Sequence, residues 1–198
     1  MLSECNGTLI EFEEHLIRAV FLDRDGVINR YLRDDYVKCP EELHLLPGAD
    51  EAIRFLNSAG IFCIVVSNQQ GVGRGIMTAE QLDNVDRALK TKLSDASGAV
   101  IDASYYCTAL RSDNSDRRKP MPGMLFEAAN DFGFDLGESI LIGDSPTDIA
   151  AGHRAGVAGT ILVLSGATPL YSTGQFEPGP DMVCENLKSA IDNLKVHL

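Results

Sequence analysis

Two aspartates stand one residue apart directly after a short apolar run. Residues 20–27 have the sequence VFLDRDGV, so Asp23 and Asp25 follow three apolar residues and precede Gly26. Side chains alternate along an extended chain, so both carboxylates would point to the same side of a strand. If the chain turns at Asp25, its carboxylate could instead face Asp23 from the other side of a bound ligand. Such carboxylates can bind a metal ion, attack an electrophile or transfer a proton, although Asp and Gly also form ordinary turns after strands. All four interpretations are open for this segment taken alone.

Other polar residues follow later apolar runs or open a helix. Ser67 and Asn68 come after the apolar run at 61–66, and Asp144 comes after the run at 139–142. Lys119 opens a predicted helix. Because parallel strands of an α/β sheet bind ligands at their carboxyl ends, these residues are predicted to lie beside the two aspartates.

The combined residue types favour phosphoryl transfer. Three carboxylates form an oxygen-rich site suited to Mg²⁺, a hard cation that also accepts a substrate phosphate. The Ser67 hydroxyl and the backbone N–H groups of Ser67 and Asn68 can hold phosphate oxygens, and Lys119 can neutralise their charge. The sequence has no H-E-x-x-H motif and no G-x-G-x-x-G after the first predicted strand, and its glycine-rich segment at 71–75 lacks the Lys-Ser/Thr of a nucleotide-binding loop.

The elements that must position these residues alternate between strand and helix. We predict strands at 18–22, 61–66, 101–107, 139–142, 157–164 and 182–184. Helices are predicted at 48–59, 78–96, 146–155 and 187–194, and a further helix follows residues 119–123 and ends at Gly133. The apolar residues predicted to share one face of the third helix are Leu125, Phe126, Ala129 and Phe132. This alternation predicts an α/β fold, a Rossmann-like three-layer αβα sandwich with a mostly parallel sheet. The polar segments at 29–47 and 108–118 are predicted to be loops, the first a flap beside the site.

Length and composition limit the remaining possibilities. The chain has 198 residues and a formal net charge of −12, which suits one domain and argues against a basic nucleic-acid-binding face. We expect an N-terminal extension at 1–17 and a single domain at 18–198. No apolar run approaches the roughly 20 residues of a membrane helix, and the acidic N-terminus does not resemble a signal peptide. We therefore expect a cytoplasmic monomer. Five widely spaced cysteines without a C-x-x-C pair argue against a disulfide framework and a thiolate zinc site.

Four spaced motifs identify a family. They are Asp23-Arg24-Asp25-Gly26-Val27, Ser67 after an apolar strand, Lys119-Pro120, and Gly143-Asp144-x-x-x-Asp148. With these motifs the chain resembles the haloacid dehalogenase (HAD) superfamily of phosphohydrolases. The longer forms Ser67-Asn68-Gln69 and Arg118-Lys119-Pro120 resemble the branch that contains the heptose bisphosphate and histidinol-phosphate phosphatases. The loops at 29–47 and 108–118 are too short to form a cap domain.

The resemblance implies a role for each aspartate. Asp23 would attack phosphorus to form an aspartyl-phosphate and would also bind Mg²⁺. Asp25 would protonate the leaving oxygen and then deprotonate the hydrolytic water, while its backbone carbonyl binds the metal. Asp144 would complete the protein ligands of the metal. Asp148 would orient Lys119 or a metal-bound water.

The resemblance also implies which residues bind the substrate. Ser67, Asn68 and Lys119 would stabilise the transferring phosphoryl group, and Arg118 would contact the substrate beyond it. The expected reaction is removal of the 7-phosphate of D-glycero-D-manno-heptose 1,7-bisphosphate. The alternatives are histidinol phosphate or another small metabolite as the substrate. Two other functions on this fold are alternatives to hydrolysis: phosphoryl transfer to a second metabolite and noncatalytic phosphate binding.

One loop departs from the pattern of this branch. Relatives usually have a zinc-binding loop before the Arg-Lys-Pro motif, but residues 107–117 contain one cysteine and no histidine. Four-coordinate structural zinc requires more ligands, so we expect no zinc. Arg111, Arg117 and Arg118 could instead bind a second phosphate, although the first two could equally be solvated.

Overall fold

The core of the protein is one six-stranded parallel sheet. The computed structural model describes residues 16–194, and every strand pairing in the sheet is parallel, in the order β3-β2-β1-β4-β5-β6. The strands are β1 (Ala19–Leu22), β2 (Phe62–Asn68), β3 (Ala103–Cys107), β4 (Ser139–Gly143), β5 (Gly159–Val163) and β6 (Met182–Cys184). The helices are α1 (Ala49–Ser58), α2 (Ala79–Ser97), α3 (Gly123–Phe132), α4 (Pro146–Ala155) and α5 (Leu187–Leu194). The predicted three-layer fold is confirmed.

Strand β1 is buried on both faces. Val20 and Leu22 belong to a core formed with helices α1, α2 and α5. Ala19 and Phe21 point to the opposite side, where the core includes residues of α3 and α4. Since alternate side chains of a strand point to opposite faces, the continuous apolar run of β1 serves two cores at once.

The register of the strands brings the polar residues to one edge. Leu22 pairs with Val65 of β2 and with Ile142 of β4, and the Asp23 N–H donates to the Ile142 carbonyl at 3.0 Å. The strand order reverses at β1, since β2 and β4 lie on its two sides. Such a reversal opens a crevice at the carboxyl ends of the strands, where ligands bind in open α/β sheets.

Two predicted helix starts are confirmed by their capping contacts. The Thr78 hydroxyl accepts from the Gln81 N–H at 3.1 Å, and the Gln81 side chain accepts from the Thr78 N–H at 2.7 Å. Helix α4 begins with Pro146 after Ser145, and the Asp148 carboxylate accepts from both the N–H and the hydroxyl of Ser145. The second cap places Asp148 in the first turn of α4, next to the site.

The structure corrects several local predictions. Helix α3 buries Met124, Leu125 and Ala128, whereas Phe126 is 50% exposed. The predicted face was right for Leu125, Ala129 and Phe132, which are buried or pack against the core, and wrong for Phe126. The face is centred on Met124 and Ala128 because these are the residues that reach the sheet. Strand β2 extends two residues beyond the prediction and includes Ser67 and Asn68. The predicted loop at 108–118 contains a 3₁₀ turn at Arg111–Asp113.

The corrected face of α3 has a measurable consequence. Met124→Ala should lower the free energy of unfolding by about 2–5 kcal/mol, because it empties a fully buried site between α3 and the sheet. Phe126→Ala should cost less than about 1 kcal/mol because the ring is half exposed. Urea unfolding of both variants measures the difference. A larger loss for Phe126→Ala than for Met124→Ala would contradict the packing described.

Some predictions concern residues outside the described range. Most of the proposed extension at 1–17, and with it Cys5, lies outside residues 16–194, so the domain boundary stays a prediction. Within that range Cys39, Cys63, Cys107 and Cys184 form no disulfide bond, and the last three of them are buried. Between residues 16 and 194, no helix has the length and apolar composition required to cross a lipid bilayer.

Candidate active site

Three carboxylates converge at the carboxyl edge of the sheet. Asp23 follows β1, Asp144 follows β4, and Asp148 lies in the first turn of α4. One carboxylate oxygen from each lies within 4.8 Å of the others. Asp144 and Asp148 are buried, and Asp23 is partly exposed to the cavity. The structure therefore brings together three of the aspartates singled out in the sequence.

Lys119 is the buried cation of this cluster. Its ammonium lies 3.2 Å from Asp23 Oδ1 and 2.5 Å from Asp148 Oδ1, and it donates to the Val66 carbonyl at 2.6 Å. Asn68 fixes the backbone of Lys119, because its side-chain amide donates to the Lys119 carbonyl at 2.9 Å and its oxygen accepts from the Lys119 N–H at 3.0 Å. The Asn68 side chain thus positions the lysine.

The shared burial changes the pKa of Asp23, Asp144 and Lys119. Burial raises the pKa of Asp23 to about 6, opposed by the positive charge of Lys119 and assisted by the negative charge of Asp148. Burial and the charges of Asp23 and Asp148 raise the pKa of Asp144 to about 8. Burial alone would lower the pKa of Lys119, but the two neighbouring carboxylates raise it to about 12. One ammonium does not neutralise the cluster, which favours the binding of a further cation.

Asp25 occupies a different environment from Asp23. Its carboxylate accepts from Arg24 at 2.8 Å, from the Asn29 amide at 2.9 Å and from the Gln69 amide at 2.7 Å. Burial would raise its pKa, but the guanidinium of Arg24 and these hydrogen bonds outweigh burial and lower it. Asp25 is therefore held as a carboxylate next to the cavity that it lines.

Arg24 and Gln69 also belong to the site, and their contacts were not predicted from the sequence. Arg24 is fully buried, with its guanidinium 5.8 Å from the centre of the Tyr106 ring. Gln69 is also buried, and its amide bridges Asp25 and the Ser67 hydroxyl, which is 3.1 Å away. Their positions in the sequence could have indicated these roles, because both residues stand within two residues of a predicted site residue at a strand end.

A loop after β5 encloses Asp144. The Ala167 N–H donates to Asp144 Oδ2 at 2.7 Å, and the Ser165 hydroxyl donates to the Gly26 carbonyl at 2.7 Å. A Cβ at Gly26 would lie 2.1 Å from Asp144 Oδ2, and one at Gly166 would lie 1.9 Å from it. Gly26 also has a φ of 86°, in the left-handed region that favours glycine. Both glycines therefore allow backbone to pack directly against the carboxylate.

The donor set suits a hard divalent cation. All the available groups are oxygens, the type that Mg²⁺ prefers, and the close approach of Gly26 and Gly166 leaves a narrow cradle around Asp144. Asp148 belongs to the cluster, but its oxygens contact the Lys119 ammonium and Ser145. The residues fit a site held by Asp23 and Asp144, with Asp148 orienting the lysine.

A cavity of about 490 Å³ opens beside these residues. Its walls include Asp23, Asp25, Ser67, Asn68, Lys119 and Asp144. The flap at 29–47 contributes Tyr31, Asp34 and Tyr36, while Arg74 and Arg111 come from two other loops. The volume is within the range of pockets that enclose small metabolites.

Arg118, a predicted substrate-binding residue, does not line this cavity, and its role stays a prediction. It lines an adjoining cavity of about 460 Å³, and its guanidinium donates to the Ala109 carbonyl at 3.0 Å. Arg111 and Lys119 line both cavities. Arg118 and Lys119 are neighbours in the sequence, but neighbouring side chains point in different directions. Sequence position alone therefore does not show which cavity Arg118 lines.

Comparison with known proteins identifies related sequences. A family model described as HAD-hydrolase-like matches residues 116–190. A D-glycero-D-manno-heptose-1,7-bisphosphate 7-phosphatase of Thermosynechococcus vestitus is 37% identical over 192 residues, covering 91% of this chain and 96% of the relative. A D-glycero-alpha-D-manno-heptose-1,7-bisphosphate 7-phosphatase of Burkholderia mallei is 40% identical, covering 74% of this chain and 79% of the relative.

A solved structure resembles the whole described fold. It is the D,D-heptose 1,7-bisphosphate phosphatase of B. bronchiseptica in complex with magnesium and phosphate, which is 32% identical with a TM-score of 0.84. The similarity covers 92% of this chain and 100% of that one. The sequence relatives, this structure and the arrangement of strand-end residues agree. The chain therefore belongs to the haloacid dehalogenase superfamily and is a phosphatase.

Proposed function

We propose that this phosphatase is a Mg²⁺-dependent phosphomonoester hydrolase that uses Asp23 as its nucleophile. The observation that supports this most is the contact of Asp23 with the buried ammonium of Lys119, beside the carboxylate of Asp144. A carboxylate next to fixed positive charge can approach a phosphate dianion that would otherwise repel it. The bound cation would supply further charge neutralisation.

The proposed first half of the reaction transfers the phosphoryl group to Asp23. Its carboxylate attacks phosphorus, the bond from phosphorus to the substrate oxygen breaks, and that oxygen takes a proton from Asp25. Lys119 and the Ser67 hydroxyl compensate the charge on the phosphoryl oxygens. Asp23 is oriented for attack because the Arg24 N–H donates to its Oδ1 at 2.7 Å, on the oxygen that also contacts Lys119.

The proposed second half hydrolyses the aspartyl-phosphate. Asp25 takes a proton from water, the water oxygen attacks phosphorus, and phosphate leaves as Asp23 is regenerated. The hydrogen bonds from Arg24, Asn29 and Gln69 support this base role, because they keep Asp25 ionised. For the first half, the negative charge of an incoming phosphate raises the pKa of a nearby carboxyl and so favours its protonation.

We propose D-glycero-D-manno-heptose 1,7-bisphosphate as the substrate and removal of its 7-phosphate as the reaction. This is supported by relatives of that name that cover most of the chain. Histidinol phosphate is the second candidate substrate. The positioned carboxylate of Asp25 favours turnover over a noncatalytic phosphate-binding module, and the short loops at 29–47 and 108–118 favour hydrolysis over transfer to a second metabolite.

A substrate screen tests the proposal. The purified protein with Mg²⁺ should release phosphate from heptose 1,7-bisphosphate faster than from histidinol phosphate or hexose monophosphates. Both anomers should be included, because relatives named for the alpha and for the beta form are similar to this chain. Absence of phosphate release from every phosphomonoester by folded, Mg²⁺-loaded protein would overturn the proposal. Faster turnover of histidinol phosphate would select the second substrate.

The stability of the protein should depend on Mg²⁺ and pH together. The raised pKa values of Asp23, about 6, and Asp144, about 8, mean that folding favours their protonated forms when no metal is bound. Their contribution to stability is complete below the ordinary carboxyl pKa and is lost as the pH rises through these two values. The melting temperature of metal-free protein should therefore fall between about pH 5 and pH 9. Mg²⁺ binds the ionised carboxylates, so its stabilisation should grow over the same interval.

Thermal melts with EDTA and with excess Mg²⁺ measure this effect. Asp144→Asn is the matched control, because it removes the group with the higher pKa and should flatten the dependence above about pH 7. An equal Mg²⁺ stabilisation at both ends of the pH range would contradict a metal site built on these carboxylates.

A further inference from the structure

Arg24 contacts both carboxylate oxygens of Asp25, the proposed acid and base. Its guanidinium is fully buried, with Nε 3.3 Å from Asp25 Oδ1 and Nη2 2.8 Å from Asp25 Oδ2. The Asn29 amide donates to Oδ1, and the Gln69 amide donates to Oδ2. Of these three donors, Arg24 is the one that contacts both oxygens, so it sets the plane of the carboxylate.

The guanidinium of Arg24 also contacts the ring of Tyr106. Its carbon Cζ lies 5.8 Å from the ring centre, at the distance of a cation–π contact. The remaining terminal nitrogen, Nη1, is buried and makes no hydrogen bond to any residue in the range 16–194. Among the described residues, Tyr106 is therefore a partner that can hold the guanidinium in place independently of Asp25.

Tyr106 is in turn anchored to helix α2. Its hydroxyl donates to Asp86 Oδ1 at 2.7 Å, and Asp86 Oδ2 lies 2.8 Å from the Lys90 ammonium, one helical turn further along. Burial raises the pKa of Tyr106 against the effect of the positive charge of Arg24, so the phenol stays protonated and can donate. Burial would raise the pKa of Asp86, but the hydrogen bonds from Lys90 and Tyr106 lower it. Asp86 is thus kept as an ionised acceptor.

The anchoring pair lies outside the active-site cavity. Neither Tyr106 nor Asp86 belongs to the described residues that line it. Strand β3 places Tyr106 against the core formed with α1, α2 and α5, whereas Tyr105 packs against the core on the other face of the sheet. The Tyr105 hydroxyl donates to Asp131 at 2.7 Å, so the two tyrosines make the same type of hydrogen bond. Tyr106 is the one of the two that reaches the buried arginine.

We propose that Tyr106 and Asp86 are positioning residues for the reaction, which hold Arg24 and through it orient the carboxylate of Asp25 for proton transfer. This inference rests on the proposed phosphatase function and on its use of Asp25 as acid and base. Proton transfer requires a carboxylate oxygen within hydrogen-bond distance of the substrate oxygen, and a small displacement of such a group lowers the rate. A contact between β3 and α2, outside the cavity, therefore influences the chemical step.

A comparison of two leaving groups tests the inference. The ester 4-nitrophenyl phosphate releases a stable anion that needs little protonation, whereas the alcohol oxygen released from heptose 1,7-bisphosphate needs a proton from Asp25. The measured quantity, called the leaving-group ratio, is kcat/KM for the heptose bisphosphate divided by kcat/KM for the nitrophenyl ester. Tyr106→Leu should lower this ratio by about 10- to 100-fold, because it removes both the ring and the hydroxyl. The loss should appear in kcat for the heptose bisphosphate, since Tyr106 does not line the cavity.

Milder variants and a control separate positioning from a general loss of structure. Tyr106→Phe keeps the ring, so it should lower the leaving-group ratio by only about 3- to 10-fold. Asp86→Ala should have a similar effect, and the double variant should lower the ratio no further, because both changes break one hydrogen bond. Tyr105→Phe is the matched control and should leave the ratio unchanged. An unchanged ratio in Tyr106→Leu, even with lower activity towards both esters, would overturn the inference while leaving the phosphatase function intact.

The NMR signals of the Arg24 guanidinium test the inference without turnover. A guanidinium held by a carboxylate and a ring rotates slowly, so the wild type should show separate resonances for its Nη–H groups, assigned by their loss in Arg24→Lys. Tyr106→Leu should merge these resonances in a folded protein, whereas Tyr105→Phe should leave them separate. Separate resonances in Tyr106→Leu would overturn the inference whether or not the wild type is active. Absence of phosphate release by the wild type would instead refute the proposed function.

Discussion

Asp23→Asn is expected to reduce kcat for phosphate release by about 10⁴-fold or more, because an amide cannot replace the carboxylate as a nucleophile. The variant should fold, since it removes one member of a buried carboxylate cluster whose mutual repulsion raises the pKa of Asp144. Phosphate release from a saturating substrate, with circular dichroism to confirm the fold, measures the effect. Asp23→Ala should reduce kcat to a similar extent. Because alanine cannot deamidate to aspartate, this variant excludes deamidation of the asparagine as a source of activity.

A folded Asp23→Asn protein with substantial activity would remove Asp23 from the role of nucleophile. Asp25→Asn is the informative comparison. In the proposed mechanism Asp25 transfers protons in both halves of the reaction but does not form the covalent bond to phosphorus. The two variants should differ in burst kinetics: Asp25→Asn should still transfer one phosphoryl group per site, slowly, whereas Asp23→Asn should transfer none.

Lys119→Met is expected to have the second largest effect. The variant removes the ammonium that contacts Asp23 and Asp148, so kcat should fall by roughly 10²- to 10³-fold through lost stabilisation of the phosphoryl oxygens. It should also reduce the free energy of unfolding by about 3–5 kcal/mol, since it leaves buried carboxylates without their cation. Steady-state kinetics and urea unfolding measure the two effects separately.

The double variant Lys119→Met/Asp148→Asn separates catalysis from stability. Asparagine at 148 removes the unpaired charge and keeps an oxygen that can accept from Ser145, so much of the lost stability should return. Activity should stay low because the ammonium is still absent. Recovery of activity together with stability would show that Lys119 acts only as a structural counterion.

The sequence predicted the fold because its patterns are strong and local. The continuous apolar runs of β1 and β4 are typical of strands buried on both faces, and the motifs at Thr78 and Ser145 are typical of helix starts. Parallel strands then had to bring Asp23 and Asp144 to one edge. The structure confirms that Asp23, Asp25, Ser67, Asn68, Lys119 and Asp144 line one cavity.

The sequence did not predict the features that depend on packing between residues distant in the chain. The face of α3 depends on which residues reach the sheet, and Met124 rather than Phe126 does so. Arg24 lies under the ring of Tyr106, which is distant in the chain. Gly166 reaches Asp144 because β5 lies next to β4. That Arg74 and Arg111 line one cavity likewise depends on how the loops after β2 and β3 pack, with Gly73 against Thr108.

The stereochemical course at phosphorus tests the central proposal most directly. A substrate with a chiral phosphoryl group, labelled with distinguishable oxygen isotopes, is hydrolysed by the wild-type protein with Mg²⁺, and the configuration of the released phosphate is determined. Transfer to Asp23 followed by attack of water comprises two in-line displacements, each of which inverts phosphorus, so we expect net retention. Net inversion would show that water attacks the substrate directly, and it would contradict the aspartyl-phosphate mechanism.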